Sequence, residues 1–410
     1  MFPVVCILAY SLLQSRAQEL LPEPPAEDED VSFIAIGMRH GNRNPEKYCC
    51  GYSEQGLGRE GPMQLTSLGK QQGYYLGDWL RRRYTNLFAA GFNHSRVMGM
   101  SSSADRTQMS LQTELLGMFP ANGPDSWLAG LLWQPIAFQI NDQVVRMYKV
   151  ECPRLAKIWA PIASDQAPAM ASLLKKNKKL IDYVLKESAM APPTGASKLS
   201  AMADVADNIL NLKGSGKSVP GWLLQRHIPG LPSGDLTEQI LSFAEVHQRA
   251  CAANLSCARL MAGHWMYELG QTLRNPGNLQ VAAYTSHTEI VLSMLYEMGA
   301  NRSELRHINP SGAFVLEYRR AKDEQNEPTI RIFTSYQEPE TQSEPRKRRY
   351  RQLQLCPEPQ DGFCPLQEWL GKRQSVADVP TACSLTSSAH HLLASVSCLI
   401  TAFAYFTLSS

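Results

Sequence analysis

Three segments of the chain repeat one order of elements: an apolar, β-branched run, a polar junction, and a helical pattern starting just after it. Val31 to Met38 ends at Arg39-His40. Ser95 to Met100 ends in Ser101-Ser102-Ser103-Ala104-Asp105-Arg106, after which Met109, Leu111, Leu115 and Leu116 supply a helical apolar face. Leu279 to Thr285 ends at Ser286-His287-Thr288-Glu289, ahead of Ile290, Leu292, Leu295 and Met298. This grammar predicts an α/β fold. In open sheets of that class ligands sit outside the carboxyl ends of strands, where helix N-termini offer free N–H groups. The three junctions are therefore expected to converge on one pocket.

From Cys152 to about Val281 no alternating strand is evident, only helical stretches broken by Pro192-Pro193, Gly214-Ser215-Gly216, Pro229 to Gly234 and Asn275-Pro276. That block reads as an α-helical insertion. The sheet resumes in Ala313 to Tyr318 and Thr329 to Thr334. With 410 residues, 44% of them hydrophobic, the chain can bury one large core or two smaller ones. Its formal charge of +2 lacks the basic footprint of nonspecific nucleic-acid binding, so no nucleic-acid partner is expected.

The ends of the chain point to the secretory pathway. An apolar run from Phe2 to Leu13 precedes Ser15-Arg16-Ala17, the small-x-small pattern of a signal-peptidase site, so residues 1–18 read as a signal peptide. A buried N-terminal helix is the alternative. Residues 19–30 are acidic and Pro-rich, as suits a solvated mature terminus. Without Cys6 and Cys398 the 10 cysteines leave an even number, compatible with full pairing in an oxidising compartment. Asn93, Asn254 and Asn301 each open a glycosylation sequon. Residues 384–410 end in an uncharged run, Leu392 to Leu408, that lacks the basic flank of a spanning helix. Small residues upstream give it the form of a GPI-attachment signal, with a spanning anchor or a buried terminal segment as alternatives. The expected location is extracellular or at the cell surface, with the lysosome as the alternative.

The stretch that bears on chemistry is Arg39-His40-Gly41-Asn42-Arg43-Asn44-Pro45. It sets an imidazole between two guanidiniums, with a glycine that lets backbone approach a ligand closely. Guanidinium forks match phosphate oxygens bidentately, so the pattern reads as a phosphate clamp around a candidate nucleophile. Taken alone, such a cluster is more often a surface salt-bridge group. It is not alone here. The stretch resembles the R-H-G-x-R-x-P signature of the histidine acid phosphatases at all its fixed positions. Leu65-Thr66-Ser67-Leu68-Gly69, Ala104-Asp105-Arg106-Thr107 with Ser110, Leu132-Trp133-Gln134-Pro135-Ile136 and Cys364-Pro365-Leu366 resemble the prostatic and lysosomal branch, in the same order.

The resemblance covers about residues 31–383 and implies a phosphoglycerate-mutase-like three-layer fold with a central, mostly parallel sheet. It implies an α/β phosphatase domain of residues 31–156 and 263–383 and an α-helical cap of residues 157–262. His40 would be the nucleophile that forms a covalent phosphohistidine. Arg39, Arg43 and Arg106 would bind the phosphoryl oxygens of a phosphate monoester, with His287 as a further donor and with no metal or other cofactor. The resemblance also implies a homodimer and the disulfides Cys152 with Cys383 and Cys356 with Cys364. Cys251 with Cys257 could close locally, and the partners of Cys49 and Cys50 are left open.

One position departs from the branch. The residue after the second histidine normally supplies a carboxylic acid for the leaving alcohol, and here it is Thr288, whose hydroxyl pKa is far too high for that role. Glu289 restores a carboxylate one residue later, a His-Thr-Glu that resembles the His-Ala-Glu of inositol-polyphosphate phosphatases. Glu289 is the expected acid. The alternatives are a phosphate-ester binding protein with weak or lost turnover, in which Glu289 only caps a helix, and an enzyme of inositol polyphosphates. Other signals carry less. Gly214-Ser215-Gly216-Lys217-Ser218 lacks the first glycine and the preceding strand of a P-loop, and no G-x-S-x-G occurs. His247 and His264 read as structural, and Arg346 to Arg349 as a solvated edge or loop.

Overall fold

A computed structural model describes residues 30–50, 60–214, 216–225, 230–231, 236–300, 308–323, 326–337, 348–357 and 359–384. The expected signal peptide, most of the acidic linker, the C-terminal anchor segment and the Asn301 sequon lie outside the described residues. Strands β1 (Val31–Arg39), β2 (Val97–Ser101), β3 (Gln139–Ile140), β4 (Val281–Ser286), β5 (Ala313–Arg319), β6 (Thr329–Gln337) and β7 (Arg348–Gln352) follow the sheet order β3-β2-β4-β1-β5-β6-β7. Strand β8 (Cys364–Pro365) pairs with β6. β3, β2, β4 and β1 run parallel, as expected of the central strands. From β5 onward every pairing is antiparallel.

Strand β1 explains why its sequence reads as an almost unbroken apolar run: it is covered on both faces, as strands of parallel sheets usually are. Ile34, Ile36 and Met38 join one apolar cluster with Leu76 and Leu80 of helix α1 (Ser67–Arg83) and Leu111 and Leu115 of helix α2 (Asp105–Met118). Phe33 and Ala35, offset by one residue, face the opposite layer.

A third cluster lies in the helical insertion, from Met170 to Val246, and includes Met202, Val205 and Ile209 of helix α3 (Lys198–Gly214). Helix α4 (Val246–Ala253) closes that block, and helix α5 (Leu255–Arg274) follows it. Every fourth residue of α5 from Cys257 through Met261, Trp265 and Leu269 to Leu273 is buried in the sheet-side cluster, which also takes in helix α6 (Thr288–Glu297). Residues 255–262, expected in the cap, thus pack with the sheet layer.

The eight described cysteines pair as Cys49–Cys50, Cys152–Cys383, Cys251–Cys257 and Cys356–Cys364. Two are the implied bridges and Cys251–Cys257 is the local closure. Adjacent Cys49 and Cys50 bridge to each other, against the insertion's apolar cluster. Cys49 N donates to Asn208 Oδ1 at 3.1 Å, which moors the loop after β1 to α3. Asn254 caps α5 by accepting from Cys257 N at 3.0 Å.

The basic run corrects one expectation. Arg348 and Arg349 begin the edge strand β7, yet Arg348 is only 7% exposed. Its Nη2 donates to the Ser311 carbonyl at 2.6 Å and its Nε to Ser335 Oγ at 2.7 Å. Arg349, on the other face, is exposed. The pleat decides this, since consecutive strand residues point to opposite sides.

Fully buried Glu114 on α2 carries a testable consequence. Burial raises its pKa to about 8, against the pull of Arg348. The folded form therefore holds a proton that the unfolded chain releases near the ordinary carboxylate pKa. This contribution is complete below that ordinary value and is lost as pH rises toward about 8. Melting temperature should fall over that window, with a slope of up to about 1.4 kcal/mol per pH unit from this group. Thermal melts of Glu114→Gln should be flatter over the same window.

Candidate active site

The ladder carries His40 one residue beyond β1, because His40 N donates to the Ser286 carbonyl of β4 at 3.0 Å. The loop that follows is fixed by the start of α1. Thr66 N donates to the Asn42 carbonyl at 3.0 Å, and Thr66 Oγ1 donates to Asn42 Oδ1 at 2.7 Å while capping Gly69 N at 3.1 Å. Gly41 is needed for close approach, since a Cβ there would lie 2.4 Å from the Gly69 carbonyl oxygen. Gly41 N donates to Ser110 Oγ of α2 at 3.0 Å. The Leu65–Gly69 segment thus serves to seat the His40 loop.

His40 Nδ1 lies 2.8 Å from the Gly41 carbonyl. A carbonyl only accepts, so Nδ1 carries the proton and Nε2 presents its lone pair. The ring is 4% exposed. Burial, followed by the charges of Arg106 and Arg39, holds its pKa well below the usual imidazole value, so the nucleophilic neutral form persists into acid.

Arg106 enters from the first turn of α2 and its Nη2 donates to His287 Nδ1 at 3.2 Å. His287 Nε2 then donates to Ser102 Oγ at 2.9 Å. This modifies the expected role of His287: the neutral ring orients Arg106, and it can donate from Nδ1 only once protonated. Burial, then Arg106, keeps its pKa well below the usual value. Burial and Arg43 likewise bring Arg106 down to about 10.

The other two guanidiniums meet carboxylates of the helical insertion. Arg39 Nη1 donates to Glu245 and to the Ile308 carbonyl, while its buried Nε has no partner among the described residues. Arg43 Nη1 donates to Asp207 Oδ2 on α3 at 2.8 Å.

These groups enclose a cavity of about 420 Å³. Every site residue singled out in the sequence lines it: His40, Arg39, Arg43, Arg106, His287 and Glu289. Sequence reading missed Glu245, Asp207, Gln248, Arg146 and Tyr148, which also line it, and Ser102 behind His287. None of these belongs to the resembled motifs, and only Ser102 adjoins one, two residues ahead of Ala104. His264 is structural, with Nδ1 donating to the Val376 carbonyl at 2.9 Å, whereas His247 Nε2 is buried with no partner among the described residues.

Comparison with known proteins places the chain in a family. The model of the histidine phosphatase superfamily (branch 2) matches residues 50–200. Human prostatic acid phosphatase is 33% identical over 269 residues, covering 64% of this chain and 68% of that protein. The chain belongs to the histidine phosphatase superfamily, branch 2. Lysosomal acid phosphatase of Xenopus laevis is 24% identical over 270 residues, and this alignment spans 61% of its length, under two thirds. Among solved structures, the phytase from Citrobacter braakii has a TM-score of 0.61 at 14% identity, covering 87% of this chain and 100% of that one. The multiple inositol polyphosphate phosphatase of Bifidobacterium longum, in complex with inositol hexasulfate, has a TM-score of 0.54 at 12% identity, covering 87% and 96%. At such identities these two show the shared histidine phosphatase fold alone.

The Gly41–Gly69 contact gives a direct test of the seating of the His40 loop. Gly41→Ala should weaken orthophosphate binding at least about tenfold, roughly 1.4 kcal/mol, by calorimetry, with little change in far-UV circular dichroism.

Proposed function

We propose that this histidine phosphatase hydrolyses phosphate monoesters through a phosphohistidine on His40. The observation that carries the reading is the 2.8 Å contact of His40 Nδ1 with the Gly41 carbonyl, which assigns the proton to Nδ1 and presents the Nε2 lone pair inside the ring of Arg39, Arg43 and Arg106. A binding protein has no use for a nucleophile so prepared. Nε2 attacks phosphorus, the ester P–O bond breaks, and Glu289 gives its proton to the leaving oxygen. The imidazolium charge formed on His40 is held by the Nδ1–H bond to the Gly41 carbonyl. Water then attacks phosphorus, Glu289 takes back a proton, and the P–N bond breaks to release phosphate and neutral His40. The guanidiniums stabilise the phosphoryl charge in both steps, and His287 adds a donor when it takes up a proton from solvent as the negative phosphoryl group binds beside it.

Burial raises the pKa of Glu289, so its acid form lasts to higher pH than an ordinary carboxyl. Together with the lowered pKa of His40 this favours turnover in acid: the nucleophile stays neutral there while the acid stays protonated. Simple monoesters are favoured over inositol polyphosphates: beyond the clamp the cavity is lined by two cations, Arg146 and Lys149, against the carboxylates Glu46, Asp204, Asp207 and Glu245, two of which already hold Arg43 and Arg39. The solved phytases share the fold, but that does not carry over their substrate.

The four disulfides and the acid phosphatase relatives support a secretory-pathway protein. We read residues 384–410 as a GPI-attachment signal, which release from cells by a phosphatidylinositol-specific phospholipase would check. Exposed Trp127, Leu128, Leu132, Trp133 and Ile140, near the short strand β3, support the homodimer.

Phosphate release from an aryl and an alkyl phosphate across about pH 3 to 9 tests the reaction. Activity should peak in acid, and His40→Ala should lower it by about 10^3-fold or more. Glu289→Gln should slow the alkyl ester by about 10^2-fold and the aryl ester less, since the aryl oxygen leaves with little protonation. Inositol hexakisphosphate should be the poorer substrate by kcat/KM. Folded protein that binds orthophosphate without turnover would instead be a binding protein.

A further inference from the structure

Glu245 belongs to no sequence motif, yet it reaches the middle of the site. It stands just ahead of α4 with a φ of 58°, in the left-handed region that a residue with a Cβ seldom occupies. From there its carboxylate accepts from Arg39 Nη1, at the end of β1, and from Thr288 Oγ1, at the start of α6, the latter at 3.0 Å. Thr288 is the position at which the resemblance calls for a carboxylic acid. Such an acid would stand against the Glu245 carboxylate, whereas threonine offers it a donor. The two unusual residues therefore explain each other.

Glu289 lines the same cavity. The groups that act on it are Glu245 ahead of α4, Gln248 on α4, Arg39 from β1, Arg106 from α2, and Tyr148 from the turn after the short helix Asp142–Val145. Two carboxyl groups in one desolvated pocket do not readily ionise together, and their environments decide which keeps the proton. Glu245 holds a guanidinium and a hydroxyl, both of which favour its charged form. Glu289 has a neutral amide, Gln248, and its pKa is raised by burial and by the charge of Glu245, against Arg39 and Gln248.

We propose that Glu245 is a positioning residue: anchored as an anion by Arg39 and Thr288, it keeps Glu289 the protonated carboxyl that serves the leaving oxygen. The proposal rests on the reading of this site as a phosphatase with Glu289 as its acid. It gives Thr288 the task of holding the partner of the acid.

The test is the pH dependence of kcat for an alkyl phosphate in the wild-type protein and in Glu245→Gln. Removing this charge, and freeing Arg39 to act on Glu289, both lower the pKa of Glu289. The alkaline limb should move to lower pH by about one unit, a tenfold loss of rate on that limb. Thr288→Val should move it the same way by less, and Thr288→Ser should restore the wild-type profile. A uniform fall in kcat with an unmoved limb, or a shift to higher pH, would overturn the proposal and leave the phosphatase reading intact. If Glu245→Gln does not fold, Thr288→Val decides on the same criterion. If the wild-type protein binds orthophosphate but turns nothing over, the phosphatase reading itself has failed. Carboxyl-carbon NMR of Glu289 in the phosphate complex then decides: a pKa unchanged by Glu245→Gln overturns the proposal, and a lowered one upholds the coupling.

Discussion

The structure turns on the concentration of positive charge around one neutral imidazole. Arg39, Arg43 and Arg106 converge on His40 at the carboxyl edge of adjacent parallel strands β1, β4 and β2. Like charges gathered in a partly desolvated cavity repel, and each also loses hydration on burial. The fold offsets this locally. Asp207 meets Arg43, Glu245 meets Arg39, and Arg106 leans on the neutral His287 ring. The helical insertion therefore does more than cover the pocket, because it supplies the counter-charges that let the clamp exist.

That arrangement binds the parts of the site to one another. Arg106, which can only donate, fixes the tautomer of His287, Ser102 accepts from the opposite ring nitrogen, and the Gly41 carbonyl fixes the tautomer of His40. The Gly41 backbone is in turn held by Gly69 at the start of α1 and by Ser110 of α2. The disulfides reinforce the frame away from the chemistry. Cys152–Cys383 joins segments 231 residues apart, and Cys49–Cys50 ties the turn just beyond the His40 loop.

Much of this was legible before any coordinates. The order of strand, junction and helix located β1, β2 and β4 and the convergence of their ends, because side-chain periodicity follows directly from backbone geometry. Arg39, His40 and Arg43 stood out as guanidiniums around an imidazole at such a junction, and the resemblance to the histidine acid phosphatases added Arg106, His287 and Glu289. Arg348 was misjudged because a run of four basic residues says nothing of which ones the pleat turns inward. Which layer covers Cys257, Leu260 and Met261 was not legible, because a helical pattern shows that a face is apolar and leaves open what packs on it.

The sequence by itself determined the class of sheet and the residues at its carboxyl edge, since these depend on local order and spacing, and the resemblance of its motifs implied their common chemistry. Tertiary structure alone decided the partners: Glu245 with Arg39 and Thr288, Asp207 with Arg43, and Cys49 with Cys50. Arg39 and Glu245 lie 206 positions apart, and Arg43 and Asp207 lie 164 apart. No local pattern spans such distances; only the folding of the insertion over the sheet edge brings these charges together.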